Sequence, residues 1–173
     1  MTDERQTILV VDDMPANIRV LNLLLRDAYD IRAAVRGAEA LEIAAGPDPP
    51  DLILLDIIMP EMDGYEVCRR LKADDRTRHI PLVFITSRSE AAEETRGFEM
   101  GATDYIAKPF NPDIIRARVK TQMDLKRYRD HLHRTNALLR QELKKQEINI
   151  DLAKKILGVV NRTQTQPRHI PLS

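Results

Sequence analysis

The sequence has a single cysteine, Cys68, and no hydrophobic run long enough to cross a bilayer. One thiol cannot form a disulfide within the chain, and without a paired cysteine or histidine motif it provides neither a zinc site nor a redox pair. A membrane-spanning helix needs about 18 or more consecutive apolar residues. The N-terminus is polar and acidic before its first apolar stretch, unlike a signal peptide. We therefore expect a cytoplasmic protein that does not contact a membrane.

The charge is balanced over the whole chain but not along it. Residues 1–111 carry 13 basic and 21 acidic side chains, whereas residues 112–173 carry 14 basic and 6 acidic ones. An acidic globule should therefore be followed by a basic segment. Such a segment is most often a solvated helix face, and no recognisable DNA-binding module accompanies it. Binding of nucleic acid through the basic segment is kept as an alternative.

Short apolar runs alternate with helical patterns through the first part of the chain. The apolar runs are Ile8–Val11, Ile31–Ala34, Leu52–Leu55, Leu82–Ile85 and Asp104–Ala107, and the helical patterns cover 15–28, 37–45, 64–73 and residues near 90–100. Strands that are apolar throughout are buried on both faces, and the helices between them supply crossover connections. The pattern predicts an α/β fold with a doubly wound, five-stranded parallel sheet.

After Asn111 no strand signal follows, and helix formers dominate from Ile114 to Val160. A helix should begin at Asn111 or Pro112. We expect a globular domain over residues 1–122, a helical coiled-coil linker over 123–161 that extends the fifth helix, and a flexible tail over 162–173.

The linker contains an alternation of four and three residues that is typical of a coiled-coil seam. The seam positions are Leu132, Asn136, Leu139, Leu143, Gln146, Ile150, Ala153, Leu157 and Val160. Asn136 occupies an a position, where a buried amide pairs with its mate and favours a parallel two-stranded register. We therefore expect a homodimer with Asn136 in its contact. A monomeric helix folded back onto the acidic globule is the alternative.

Polar side chains stand where the predicted strands end. Asp12 and Asp13 follow the first strand, Asp56 ends the third, Thr86 ends the fourth and Lys108 follows the fifth. In a doubly wound sheet the ligand site lies outside the carboxyl ends of the strands, so these five side chains should converge there.

Three carboxylates at one point require a compensating charge, because two like charges about 4 Å apart cost about 4 kcal/mol at an effective dielectric constant near 20. An all-oxygen donor set without histidine or cysteine selects a hard cation, and Mg²⁺ suits it best. A carboxylate beside Mg²⁺ is also a plausible phosphoryl acceptor. A glycine-rich phosphate loop is absent, since no glycine occurs between Val11 and Pro15, and this argues against nucleotide binding.

Four sequence blocks resemble the signature of bacterial response-regulator receiver domains. They are VVDD at 10–13, LILLDIIMPEMDG at 52–64, VFITS at 83–87 and GATDYIAKPF at 101–110, and the resemblance covers roughly residues 6–120. It implies a flavodoxin-like fold with strand order 2-1-3-4-5, an order for which receiver domains are themselves a standard example. It also implies a histidine kinase or a phosphotransfer protein as the phosphoryl donor.

The resemblance assigns a role to each matched residue. Asp56 would be the phosphoacceptor and Asp13 a direct Mg²⁺ ligand, while Asp12 would act largely through bound water and Ile58 would offer its backbone carbonyl. Thr86 and Lys108 match the pair that bonds the phosphoryl oxygens, and the Lys108–Pro109 bond matches a junction that is usually cis. Tyr105 matches the aromatic residue that switches with the threonine.

Dimerising relatives place ion pairs between subunits at positions matched by Asp104 with Arg118 and by Glu99 with Lys120. The resemblance thus implies a signalling protein rather than an enzyme, with the C-terminal helix leading to an output domain outside this chain. A serine/threonine phosphatase and a diguanylate cyclase remain open as outputs.

Two rival functions are weaker. An aspartate-dependent phosphohydrolase of the haloacid dehalogenase type requires a second aspartate two residues after the nucleophile, where this sequence has Ile58. A phosphorylation-controlled nucleic-acid-binding regulator rests on the basic helix alone.

Overall fold

A computed structural model of the chain describes residues 5–87 and 97–164, with side chains described up to residue 157. The elements are β1 (Thr7–Val11), α1 (Pro15–Leu25), β2 (Asp30–Ala34), α2 (Gly37–Ala44), β3 (Leu52–Asp56), α3 (Gly64–Ala73), β4 (Leu82–Thr86), β5 (Asp104–Ala107) and a C-terminal helix (Pro112–Gln164). Within the described residues, no helix combines the length and apolar character needed to cross a membrane.

The five strands form one parallel sheet in the order β2-β1-β3-β4-β5. The predicted fold class and strand order are therefore confirmed. In the register of this sheet, Val11 lies beside Leu55 and Asp56 lies beside Ile85. The carboxyl ends of β1, β3 and β4 consequently meet at one edge of the sheet.

Successive strand residues point to opposite faces, so each buried strand supplies two cores. One core contains Leu9, Val11, Ile53, Leu55, Leu82 and Phe84, and it is covered by α2 and α3 through residues such as Ala40, Val67 and Leu71. The other core contains Ile8, Val10, Leu52, Leu54, Val83 and Ile85, and it is covered by α1 and the C-terminal helix through Leu21, Leu25, Ile115, Val119 and Met123. The alternation explains why apolar runs without polar interruptions suit these strands.

The C-terminal helix begins where the sequence predicted. The side-chain oxygen of Asn111 accepts hydrogen bonds from the backbone N–H groups of Asp113 (3.0 Å) and Ile114 (3.2 Å), which caps the first turn. Pro112 occupies the first helical position, where its missing N–H costs nothing. The helix continues without interruption to Gln164, past residue 161 where the linker was expected to end. The chain divides into two compact units between Arg127 and Tyr128.

One helix is shorter than predicted, and another lies largely outside the described residues. Helix α1 ends at Leu25 rather than at residue 28, because the N–H groups of Ala28 and Tyr29 both bond to the Leu25 carbonyl in a turn that leads into β2. Most of the helix expected near 90–100 lies outside the described residues; residues 97–99 are helical.

Candidate functional site

The predicted site residues meet at the carboxyl edge of the sheet. Asp12 follows β1, Asp56 and Thr86 are the last residues of β3 and β4, and Lys108 follows β5. Asp12 is fully buried, Asp56 is 4% exposed and Thr86 is 5% exposed. Buried carboxylates of this kind are rare unless they are paired or bound to a cation.

Lys108 joins two of the carboxylates. Its Nζ lies 3.0 Å from the Oδ2 of Asp12 and 2.8 Å from the Oδ2 of Asp56. Burial lowers the pKa of the ammonium, but the hydrogen bonds to Asp56 and Asp12 outweigh it, so the pKa of Lys108 is raised. The ammonium is therefore held in its charged form between the two acids.

Asp56 has a perturbed carboxyl group. Burial raises its pKa, the hydrogen bond from Lys108 opposes that shift, and the charge of Asp12 adds to it, with a raised pKa as the result. The other oxygen, Oδ1, accepts a long hydrogen bond of 3.3 Å from the N–H of Ile58. A strong local cation would be needed to offset the burial of this charge.

Ligand oxygens of Asp12, Asp13 and Asp56 all lie within 4.8 Å of one another. The two neighbours on the chain differ in their surroundings. Asp12 accepts hydrogen bonds at both oxygens, whereas Asp13 is partly exposed and its carboxylate makes no hydrogen bond to any described residue. A set of carboxylates with one member uncommitted fits an oxygen-preferring divalent cation such as Mg²⁺.

The loop after Asp56 is packed tightly against the backbone of the phosphoacceptor candidate. The N–H of Gly64 bonds to the carbonyl of Ile57 at 2.9 Å, and a Cβ at Gly64 would lie 2.2 Å from the carbonyl oxygen of Asp56. Asp63 caps α3 by accepting a bond of 2.8 Å from the N–H of Glu66. Only glycine fits at position 64, which explains why the MDG triplet ends this loop.

The remaining switch and metal candidates lie around this centre. Ile58 is 55% exposed, and its backbone N–H donates to the Oδ1 of Asp56. The Lys108–Pro109 bond is cis, as the resemblance implied. Tyr105 is half-buried, and its ring stacks on Phe98 with centroids 5.1 Å apart.

Three of the five proposed dimerisation residues form ion pairs within the chain. Arg118 forms an ion pair with Asp104 of the same chain, and Lys120 pairs with Asp124 at 2.6 Å, one helical turn away. Glu99 and Asn136 are exposed. A contact between subunits through these residues would therefore have to replace the ion pairs within the chain or add to them.

Sequence reasoning missed one residue of the site. Asn17, in the first turn of α1, donates from its amide nitrogen to both oxygens of Asp12, at 3.0 and 2.9 Å. A polar side chain five residues after an aspartate that directly follows a strand was the available signal. An asparagine near a helix start is common for other reasons, so the signal is weak.

The chain matches the response regulator receiver domain family over residues 8–120. It is 44% identical over 145 residues to a probable cyclic di-GMP phosphodiesterase of Vibrio cholerae, covering 84% of this chain and 33% of that protein. It is also 44% identical over 131 residues to response regulator PleD of Caulobacter vibrioides, covering 75% of this chain and 29% of that protein. The chain spans about a third or less of the length of these two relatives.

Solved structures agree with these similarities. A putative response regulator from Chloroflexus aurantiacus superposes with a TM-score of 0.66 and 36% identity, covering 70% of this chain and 99% of that one. The receiver domain of sensor histidine kinase PA1611 from Pseudomonas aeruginosa, with a magnesium ion coordinated in its active-site cleft, gives a TM-score of 0.63 at 28% identity, covering 69% and 98%.

Proposed function

The chain belongs to the response regulator receiver family, and we propose that it takes a phosphoryl group onto Asp56 from a histidine kinase or a phosphotransfer protein. The observation that carries this proposal is the placement of Asp56. Its carboxylate lies at the carboxyl edge of the sheet, beside the Lys108 ammonium and within 4.8 Å of the ligand oxygens of Asp12 and Asp13.

In the proposed step, an oxygen of Asp56 forms a bond to phosphorus as the bond between phosphorus and the donor's imidazole nitrogen breaks. The released imidazole keeps the electron pair of that bond and takes up a proton. Phosphoryl transfer depends mainly on positioning and on neutralising the charge of the equatorial oxygens. Lys108 contributes a positive charge 2.8 Å from the Oδ2 of Asp56.

Magnesium is the cofactor that the donor set supports. Asp13, Asp56 and the Ile58 carbonyl would hold the ion directly, and Asp12 would act through water. A bound Mg²⁺ would neutralise charge on the phosphoryl oxygens. Asp56 would then present its acceptor oxygen, and Lys108 and the hydroxyl of Thr86 would donate hydrogen bonds to the transferred group.

The signal would pass through Thr86 and Tyr105. Thr86 ends β4 and Ala107 lies beside it in the register, so a change at Thr86 is next to the strand that carries Tyr105. Phosphorylation adds about −1.5 to −2 charge near neutral pH, which draws donors such as the Thr86 hydroxyl toward it. Movement of Thr86 would open or close the space available to the Tyr105 ring.

Incubation with acetyl phosphate and Mg²⁺ tests the acceptor. We expect one added phosphoryl group by intact mass, and none in Asp56→Asn, because an amide is a poor nucleophile. The matched control is Asp63→Asn, which changes a nearby aspartate whose role is to cap α3. Labelling of Asp56→Asn at the wild-type level would reject the assignment.

We further propose that the C-terminal helix carries the signal by pairing with a second copy of the chain. The exposed fractions of Leu132, Leu139, Leu143 and Leu157 are 57–63%, so these seam leucines lie open to solvent in the single chain. A parallel pair would bury these side chains and match Asn136 with Asn136. One charge contact opposes it, because Glu142 would face Glu147 of the second copy.

The exposed leucines at positions 138 and 139 offer a test. Leu139 lies on the seam, while its neighbour Leu138 lies off it, and their exposed fractions are 57% and 67%. Fluoroberyllate serves here as a mimic of the phosphoryl group on Asp56. Sedimentation of the full chain with fluoroberyllate should show a dimer that Leu139→Asp disrupts and Leu138→Asp preserves. A monomeric wild-type chain at tens of micromolar, with and without fluoroberyllate, would reject the paired helix.

The output we propose is turnover of cyclic di-GMP. The alignment with the Vibrio cholerae relative spans 145 residues, more than residues 8–120 can hold, so the likeness continues into the C-terminal helix. Expression of the gene's full product in a bacterial host should change the cellular level of cyclic di-GMP, and Asp56→Asn should weaken that change. An unchanged level with the full product would favour the phosphatase alternative.

A further inference from the structure

The buried carboxylate of Asp12 is held by a residue that the phosphorylation chemistry does not use. Asn17 donates from one amide nitrogen to both Asp12 oxygens, at 3.0 and 2.9 Å. The N–H of Met14 donates to Oδ1 at 2.9 Å, and Lys108 donates to Oδ2 at 3.0 Å. Asp12 is fully buried, so these contacts replace its solvation.

Asn17 is a neutral donor, whereas Lys108 is a charged one that two carboxylates share. If Asn17 were removed, Asp12 would retain one backbone N–H and the lysine. A buried carboxylate that loses a donor interacts more strongly with the donors that remain. The ammonium would then shift toward Asp12 and away from Asp56, where it now lies at 2.8 Å.

We propose that Asn17 is a positioning residue of the phosphorylation site, which orients the Asp12 carboxylate and so keeps the Lys108 ammonium close to Asp56. This inference rests on the proposed function only in its prediction that loss of Asn17 slows labelling of Asp56. The contact itself connects the first turn of α1 to the acidic cluster, so the orientation of the carboxylate is set by a rigid element.

The chain offers a matched control on the same helix. Asn22 is an asparagine of α1 and is partly buried like Asn17. Its side chain makes no hydrogen bond to the acidic cluster. Asn17→Leu and Asn22→Leu therefore make the same change in size and polarity, one at the cluster and one away from it.

The rate of labelling by acetyl phosphate, measured against donor concentration, gives the first test. We expect Asn17→Leu to lower the maximal rate about ten-fold, the lower range for a lost hydrogen bond to a charged group. The half-saturating concentration should stay within about two-fold, because Asn17 does not contact the donor. Asn22→Leu should leave both values unchanged, and an equal loss in both variants would overturn the proposal.

A double-mutant cycle separates a role through Asp12 from general damage to α1. In an Asp12→Asn background, Asn17→Leu should change the residual rate by less than about two-fold, since the two residues act as a unit. An undiminished ten-fold loss in that background would show that Asn17 acts elsewhere. Thermal unfolding of each variant checks that the fold is retained, and Asn17→Ser, which keeps a donor, should recover part of the rate.

The NMR signal of the Lys108 ammonium provides a readout that needs no phosphoryl transfer. In metal-free protein this signal should move in Asn17→Leu and stay in place in Asn22→Leu. An unmoved signal in both would overturn the positioning role even if labelling changed. If the wild type were never labelled, the proposed function would fail, while the ammonium signal would still decide the contact between Asn17 and Asp12.

Discussion

The C-terminal helix is continuous, but it buries one face before Arg127 and no described side chain from residue 131 to 157. Before that point, Ile115, Val119 and Met123 recur every four residues and are at most 1% exposed, packed into the core beneath β1, β3 and β4. After it, every described side chain from residue 131 to 157 is exposed, including the leucines of the seam.

The difference shows that helix formation and burial are separate contributions. A fully buried aliphatic side chain contributes about 1.5–3 kcal/mol, so the first part of the helix is stabilised by the core it covers. From residue 131 to residue 157 the second part obtains no comparable burial in the single chain. Isolated helices are marginal in water, and most of their stability in proteins comes from packing of an apolar face. The exposed part is therefore the region whose stability should depend on a partner.

The largest expected effect compares a core leucine with a seam leucine. Leu54 is fully buried in β3, and Leu54→Ala should lower the free energy of unfolding by about 2–5 kcal/mol. Leu143 is 61% exposed, and Leu143→Ala should change it by less than about 0.5 kcal/mol in dilute chain. Urea unfolding measures both. Equal losses in dilute chain would show that the seam is already packed within one chain.

A second comparison concerns the backbone around the site. Gly64→Ala places a Cβ 2.2 Å from the Asp56 carbonyl oxygen, whereas Gly46→Ala meets its nearest atom at 3.3 Å. We expect Gly64→Ala to cost about 1–3 kcal/mol and to slow labelling of Asp56 at least about ten-fold, because the backbone must shift. Gly46→Ala should keep the labelling rate. Normal labelling of Gly64→Ala would show that the loop can relax without moving the acceptor.

Truncation tests whether the two units are independent. A chain ending at Arg127 retains Ile115, Val119 and Met123, as well as the ion pair of 2.9 Å between Lys126 and Asp51. Its unfolding free energy in urea should equal that of the dilute full chain within about 0.5 kcal/mol, since every removed side chain that the structure describes is exposed except that of Asp130, which is partly exposed. Circular dichroism of the full chain should in turn lose helical signal on dilution. A truncated chain that is much less stable than the dilute full chain would show that the two units are not independent.

The smallest effect belongs to the surface of α3. Hydrogen bonds from Arg69 and Arg70 lower the pKa of Glu66 to about 2. Because the folded pKa lies below the unfolded value of about 4.3, the contribution to stability is complete above that value and is lost as pH falls toward 2. Carboxyl NMR should show the low pKa, and Arg69→Gln with Arg70→Gln should raise it. A pKa near 4.3 in the wild type would show that solvent screens the pairs.

The sequence pattern predicted the strands more accurately than the ends of the helices, whereas the strand order was implied by the resemblance to receiver domains. Buried strands such as β3 are apolar up to their last residue, here Asp56, and this pattern depends little on the neighbouring elements. The end of α1 depends on the turn through Ala28 and Tyr29 that leads into β2. No local sequence pattern encodes the position of that turn. For the same reason Asn17 was missed, since its importance follows from the distance to Asp12 rather than from its own context.

The sequence by itself determined the five strands, the residues at their carboxyl ends and the seven-residue repeat of the C-terminal helix, because each is a local periodicity or a local change of polarity. Only the tertiary structure decided how the charges are shared. Lys108 reaches Asp12 and Asp56 across 96 and 52 residues of chain, and Arg118 meets Asp104 of its own chain. Such contacts follow from the order of the strands in the sheet and from the packing of the C-terminal helix against it, which set distances that sequence separation does not.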